Sequence, residues 1–484
     1  MSWVDWFWFY DKHRKWKKPV RIRNRWGWGS MCIILIVVWP LVAYLLDYLL
    51  RSQEIPHHVD KEQWLIDDVN NNPYHMTDML TQRGRPALLT NTPYDNWSIW
   101  DWSFDSLASR VKLVLVKKSR TVSELVFWRQ ISAHNCPIER AYLAYDQMIK
   151  YYGTSQLVES EPLERPYQEI LFPVKKFFEK LTDQSDGYYY YASGGIELLG
   201  INSSSEVYSD ELLRQVTFRS HNSLGQVNFW IGSGNVTAHT HYDTSHNLHV
   251  VIRGRKKFLL WPPSDYHHLK LYPCLHHYYR QTFYTYTTSP SIVPTPIEIV
   301  LQPSDVIYIP PYWFHEVVTM EPGISINVWS NSDTFLIMEE VYRAAIPFEE
   351  HWGHTTLVKS LWYFLHQLVT MVITPDAKFE DVIRKLVSDR YNFMSGDIIQ
   401  GSHDLTDYCL TEHISDILDT SSIIHIEKGS SRVAELFLKM PCLASREINL
   451  GNYIEYLCHR ILGGDQLHTL PVILYTCFGS HDPP

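Results

Sequence analysis

Between Tyr188 and Trp329 the chain is written almost entirely in short β-type runs broken by Gly and Pro: GYYYYASGG, QVNFWIG, HNLHVVIRGRKKFLLWPP, TPIEIVLQPSDVIYIPP and ISINVWS. No long helical stretch intervenes. Strands at this spacing, separated by turn residues, build sandwiches or barrels. An aromatic content of 14% suits that reading, because aromatic side chains fill half-buried pleated surfaces. Upstream, residues 105–180 mix strands such as VKLVLV with helical segments, including the amphipathic FPVKKFFEKL. Beyond about residue 335 the period changes. Leu357, Leu361, Leu365, Leu368 and Val372 recur at helical spacing, and FEDVIRKLVSDRYNF and NYIEYLCHRIL behave likewise. The pattern predicts a β-rich α+β chain with flanking helices and a C-terminal helical region over 336–484, whose default role is packing or a homodimer surface.

At 484 residues the chain exceeds one ordinary domain. A net charge of −10 argues against nucleic acid as a partner. Seven cysteines, none in a C-x-x-C pair, argue against zinc fingers and thioredoxin-like chemistry.

Residues 31–50, MCIILIVVWPLVAYLLDYLL, are apolar except for Asp47. About 20 such residues span a bilayer as a helix. Residues 1–30 carry eight Lys/Arg against two Asp, whereas residues 51–68 carry two basic and five acidic residues. The positive-inside rule then places a basic tail (1–30) in the cytosol. A stem (51–79) and all that follows lie on the far side, as in a single-pass type II protein of the endoplasmic reticulum or Golgi. No small-residue cleavage site follows the apolar run, which argues for a signal-anchor over a cleaved signal peptide. A second span at 356–374 is disfavoured by Lys359, His366 and Gln367. Asn96, Asn202 and Asn235 open glycosylation sequons; Asn235, close to the candidate site, is expected to be buried.

In HTHYDTSHNLHVVIRG, His241 and Asp243 sit two apart on an expected strand, so both point to one face. SDVIYIPPYWFHEVV offers His315 as a third ligand. Two histidines and one carboxylate on one face of an octahedral metal leave open positions, as in non-haem Fe(II) oxygenases. In a regular strand His239 would share the face of His241, so a three-histidine cupin site is the alternative ligand set. The other nearby histidines, among them His246, His249, His267, His268, His276 and His277, read as ordinary surface or core residues.

The stretch GNVTAHTHYDTSHNLHVVIRGRKKFLLWPP, followed by SDVIYIPPYWFHEV and ISINVW, resembles the Jumonji C family of 2-oxoglutarate oxygenases over residues 80–335. It is most similar to the hydroxylase branch that includes the asparaginyl hydroxylase acting on hypoxia-inducible factor. The resemblance implies a double-stranded β-helix (a cupin-like jelly roll) with Fe(II) at one end, 2-oxoglutarate as cosubstrate and O2 as oxidant. On it, His241, Asp243 and His315 match the metal ligands. Lys256, fifteen residues after His241, matches the partner of the cosubstrate's distal carboxylate, with Arg255 and Lys257 pointing away. Asn247 and Asn327 match polar lining residues, Trp329 an aromatic beside them, and Tyr190 a tyrosine contacting the carboxylate, a plain core-strand position being the alternative for Tyr190 in the run of four tyrosines. Relatives commonly carry Thr or Ser three residues before the first histidine; here that residue is Ala238, so that either Thr237 or Thr240 takes over or the contact is missing.

The implied activity is hydroxylation of a protein or peptide side chain, with oxidative decarboxylation of the keto acid to succinate. Lysine demethylation is the first alternative, and a catalytically silent cupin that only binds a partner is the second. The aromatic segment 272–295 lies between the second and third ligands, where it can act as a lid or recruit a partner.

Overall fold

A computed structural model describes residues 60–63, 75–90, 98–120, 168–183, 185–201, 226–274, 276, 278–286, 289–349, 351–373, 378–391, 417–462, 474 and 478. The expected tail and anchor (1–50), most of the stem, and the sequons at Asn96 and Asn202 lie outside them. The strands of the first half are β1 (Asp60–Gln63), β2 (Ala87–Thr90), β3 (Leu113–Ser119), β4 (Gln168–Pro173), β5 (Tyr189–Gly195) and β6 (Gln226–Gly232). There follow β7 (Thr237–Tyr242), β8 (Ser245–Arg253), β9 (Lys256–Trp261), β10 (Ile297–Leu301), β11 (Val306–Ile309), β12 (Phe314–Thr319) and β13 (Gly323–Asn331).

They form two sheets, one ordered β1-β2-β11-β8-β13-β6-β5-β3-β4 and the other β10-β9-β12-β7. From β6 to β13 the chain passes back and forth between the sheets, which is the winding of a jelly roll. The step from β8 to β9 depends on Gly254, whose φ of +75° is left-handed. A Cβ there would meet the Pro322 carbonyl at 2.8 Å, so only glycine lets the chain change sheets in so short a loop.

β8 reads as a nearly unbroken buried run because both of its faces are covered. Leu248, Val250 and Ile252 face an outer core. That core is completed by α1 (His75–Arg83), α2 (Phe104–Arg110) and α3 (Val174–Thr182) through Leu80, Leu107, Phe177 and Leu181. Helix α3 is the amphipathic FPVKKFFEKL segment, with Val174, Phe177, Phe178 and Leu181 buried on one side. Val251 faces the other way and packs with Phe258, Leu260, Ile307 and Ile309 in a core shared by both sheets.

A short helix α4 (Tyr266–Leu269) follows β9, and the chain after β13 is helical: α5 (Asp333–Arg343), α6 (His354–Val372), α7 (Phe379–Arg390), α8 (Thr420–Leu438) and α9 (Leu443–Leu462). Leu361, Leu365, Leu368 and Val372 of α6 are buried in a separate helical core with Ile383, Val433, Phe437 and Leu457. Their covering is protein: among the described residues no helix is long and apolar enough to cross a membrane. Helix α9 also closes the outer face of the small sheet, where Ile448 packs with Tyr242, Tyr312 and Phe314.

Candidate metal centre and cosubstrate cavity

β7 and β12 are antiparallel neighbours whose register places His315 directly opposite His241. The two rings lie 4.0 Å apart between centroids. Asp243 follows β7 immediately, rather than lying within it, and its Oδ2 is 3.7 Å from His315 Nε2. One ligand atom from each of His241, Asp243 and His315 falls within 4.8 Å of the other two, and all three residues are buried. Each imidazole is oriented by its own strand: His241 Nδ1 donates to the His239 carbonyl at 2.7 Å, and His315 Nδ1 to the Trp313 carbonyl at 3.0 Å. Both Nε2 atoms are thereby left as acceptors, the tautomer a metal requires. Burial holds both imidazoles below the usual histidine range, with Asp243 partly opposing the shift at His315. Two neutral imidazoles and a carboxylate fit a divalent metal.

His239 is outside this cluster among the described residues, and a β-bulge gives the reason. Between His315 and Val317 the register with β7 shifts, so that His239 and Thr240 together oppose Glu316. The extra residue reverses the alternation. Ala238 and His241 then line one cavity while His239 does not, and the three-histidine alternative loses its geometry.

The same cavity is lined by residues of both sheets. Lys256 enters it from the start of β9, buried, with no carboxylate within ion-pair distance among the described residues. Burial pulls its ammonium down to about 8. Arg255 and Lys257 point away, toward Glu321 at 2.6 Å and Glu298 at 3.9 Å. A buried cation with only a cavity before it is suited to an anionic ligand.

Asn247, Asn327 and Trp329 also line the cavity. The amides form a relay ending on the metal ligand: Trp230 Nε1 donates to Asn327 Oδ1 (3.0 Å), Asn327 Nδ2 to Asn247 Oδ1 (3.1 Å), and Asn247 Nδ2 to Asp243 Oδ2 (3.3 Å).

Three expectations are corrected. Tyr190 faces the outer core and donates its hydroxyl to Asp186 at 2.6 Å, whereas its neighbour Tyr191 lines the cavity. Tyr191 lies directly opposite Gly232, where a Cβ would meet its ring at 2.6 Å, so the glycine makes room for it. Thr237 is not a lining residue: its hydroxyl bonds the Asn235 carbonyl at 3.2 Å, while that of Thr240 bonds Glu316 at 2.8 Å. Asn235 is exposed rather than buried, in a turn with φ of +69°.

Sequence reasoning also missed residues. His249 and Thr319 line the cavity with Lys256. The signals were available, since His249 lies two residues beyond Asn247 and Thr319 four beyond His315 on strands already assigned to the site. Arg280, in the aromatic segment after β9, places Nη1 3.8 Å from Asp243 Oδ1, outside that cavity. Other histidines are structural: His246 bonds the Tyr308 hydroxyl at 2.9 Å, and His267 bonds Asp389 at 2.9 Å. His277 lies outside the described residues.

A model of the cupin-like domain family matches residues 76–334, more than half of the chain. Lysine-specific demethylase JMJ31 of Arabidopsis thaliana is 26% identical over 279 residues, covering 51% of this chain and 45% of that protein. Jumonji C domain-containing protein 5 of Drosophila melanogaster is 30% identical over 107 residues, 21% of this chain and 26% of its own length. tRNA wybutosine-synthesizing protein 5 of Danio rerio is 30% identical over 108 residues, 21% and 31% of the two chains. The chain thus spans less than half the length of each of these relatives. With two jelly-roll sheets, a domain model that matches more than half of its length and an intact His-x-Asp…His triad, the chain belongs to the cupin-like domain family.

Proposed function

We propose that this protein is a membrane-anchored Fe(II)- and 2-oxoglutarate-dependent dioxygenase that hydroxylates a protein or peptide side chain. The observation that carries the cosubstrate assignment is Lys256, a buried cation with no carboxylate partner among the described residues, sharing one cavity with the metal triad. His241, Asp243 and His315 would hold iron, and Lys256 would pair with the distal carboxylate of 2-oxoglutarate. Iron and the keto acid together supply O2 activation coupled to decarboxylation. The protein's own contribution is orientation and dryness. The Asn327–Asn247 relay fixes the Asp243 carboxylate, Trp230 and Trp329 wall the cavity, and the two strand carbonyls keep the imidazole Nε2 atoms turned inward.

Hydroxylation rather than lysine demethylation is supported by Arg280, whose guanidinium stands beside Asp243 outside the cosubstrate cavity. A methylammonium brought to the metal from that side would meet a like charge, whereas a neutral or acidic side chain would not. The names of relatives support different substrates, since two Arabidopsis thaliana relatives are called lysine-specific demethylases and others tRNA wybutosine-synthesizing proteins. The net charge of −10 favours protein over nucleic acid. The apolar run 31–50 and its one-sided basic flank favour a signal-anchor with the domain luminal, in the endoplasmic reticulum or Golgi.

Succinate release by the Fe(II)-loaded protein against a panel of secretory-pathway peptides, read with peptide mass spectrometry, tests this. A one-oxygen mass increment formed by the wild type and absent with Asp243→Ala is the expected result. Loss of methyl groups without that increment would make the protein a demethylase, and no turnover of any peptide would favour the silent binding protein.

A further inference from the structure

Two polar side chains accompany Lys256 in the cavity without a hydrogen bond of their own. Thr319 closes β12 directly opposite Lys256 in the β9–β12 register, so both side chains leave the sheet on one face. Its backbone is fully used, donating to the Val236 carbonyl at 2.8 Å and accepting from Asn235 at 2.6 Å. Its hydroxyl makes no hydrogen bond among the described residues, although Thr319 is buried against the cavity. His249 arrives from the large sheet, where it opposes Asn327. It is 6% exposed, stands edge-on to Phe258 at 5.2 Å, and its Nε2 is buried without a partner. Buried polar atoms are nearly always paired, and those that are not call for an explanation.

Ala238 lines the same cavity from β7 and brings no hydroxyl, and its neighbours Thr237 and Thr240 are turned to Asn235 and Glu316. A carboxylate offers roughly four acceptor sites, and one ammonium cannot fill them all from one direction. We propose that Thr319 and His249 bind the distal carboxylate of the keto-acid cosubstrate together with Lys256, and supply the hydrogen bonds that a hydroxyl at Ala238 would otherwise give. Three strands then converge on one carboxylate: β9 with the cation, β12 with a hydroxyl, and β8 with an imidazole N–H. The inference rests on reading this cavity as a 2-oxoglutarate site.

Calorimetric titration of the full, detergent-solubilised chain with 2-oxoglutarate in the presence of Mn(II) tests it without turnover. Thr319→Val and His249→Leu should each weaken 2-oxoglutarate binding by about tenfold to a hundredfold, the value of a hydrogen bond to a charged group. Mn(II) binding should be unchanged in both. Binding of 2-oxobutyrate, which has no distal carboxylate, should be the same in variants and wild type. Adding Ala238→Thr to Thr319→Val should restore much of the lost affinity, an outcome that mere damage to packing would not give. Wild-type affinity in both single variants would overturn the inference and leave the oxygenase reading standing. A wild-type chain that binds Mn(II) but no 2-oxoglutarate would overturn both.

Discussion

In the proposed function Lys256 is a residue poor for stability and required for binding. Burial lowers its ammonium to about 8, from an ordinary value of 10.5. Because the folded value is depressed, folding is penalised wherever the unfolded chain holds the proton, fully below about pH 8 and not at all above the unfolded value. Lys256→Met should therefore raise the unfolding free energy of the ligand-free protein at neutral pH by up to about 3 kcal/mol, read by denaturant titration. The same substitution should cost two or more orders of magnitude in 2-oxoglutarate affinity, the scale of about 3–5 kcal/mol for breaking a buried ion pair. Only the cation pairs with a carboxylate. Affinity should hence fall as pH rises above about 8, by up to about tenfold per unit, and a flat profile across that range would contradict the pairing. Residue types and spacing made the triad readable in the sequence, and Lys256 was added by the resemblance to the Jumonji C oxygenases. They could not separate Tyr190 from Tyr191, because in a run of four tyrosines a one-residue slip exchanges the two faces of the strand. Tyr190→Phe should cost about 1 kcal/mol of stability through its bond to Asp186 and spare binding, while Tyr191→Phe should act on 2-oxoglutarate affinity.

At the level of elements, the bulge in β7 decides which side chains meet. Strict alternation put His239 beside His241; the two-against-one pairing at Glu316 puts Ala238 there instead. A bulge leaves no mark in a hydrophobic pattern, so that part of the site was not legible. Helix α9 was legible as a helix, but its role was not. Asn449 donates to the Tyr312 hydroxyl at 2.7 Å, and Tyr312 stacks at 5.2 Å on Tyr242, the residue between the first two ligands. Tyr312 N–H also donates to the Asp243 carbonyl at 2.7 Å. Nearby, the Arg390 guanidinium on α7 meets Glu455 at 2.9 Å and Asn452 at 2.8 Å, and Glu455 accepts from the Cys274 N–H at 2.7 Å. The C-terminal helices are in this way tied both to the ligand strand and to the segment after β9. Arg390→Met would strand a fully buried Glu455, and should destabilise the protein by about 3–5 kcal/mol, seen as an earlier midpoint in chemical denaturation. An unchanged midpoint would show that the pair is not what holds α7 to α9.

For the whole molecule, alternating short strands announced a sandwich or barrel, and the shift to helical spacing after residue 335 announced the C-terminal helices. What composition could not convey is the order of strands in two sheets, which depends on contacts between residues far apart in the chain. The proposed topology has its own test. In sealed microsomes, added protease should remove the N-terminal tail and spare the chain beyond residue 51; digestion of the jelly roll in intact vesicles would put the substrate in the cytosol. The central claim, a metal centre built from His241, Asp243 and His315 that turns over 2-oxoglutarate, is tested most directly by Fe(II)-dependent succinate release from the purified full chain and four variants. The wild type should release succinate, His241→Ala, Asp243→Ala and His315→Ala should not, and His239→Ala should retain most of the activity. Release that survives Asp243→Ala but is lost in His239→Ala would contradict this account.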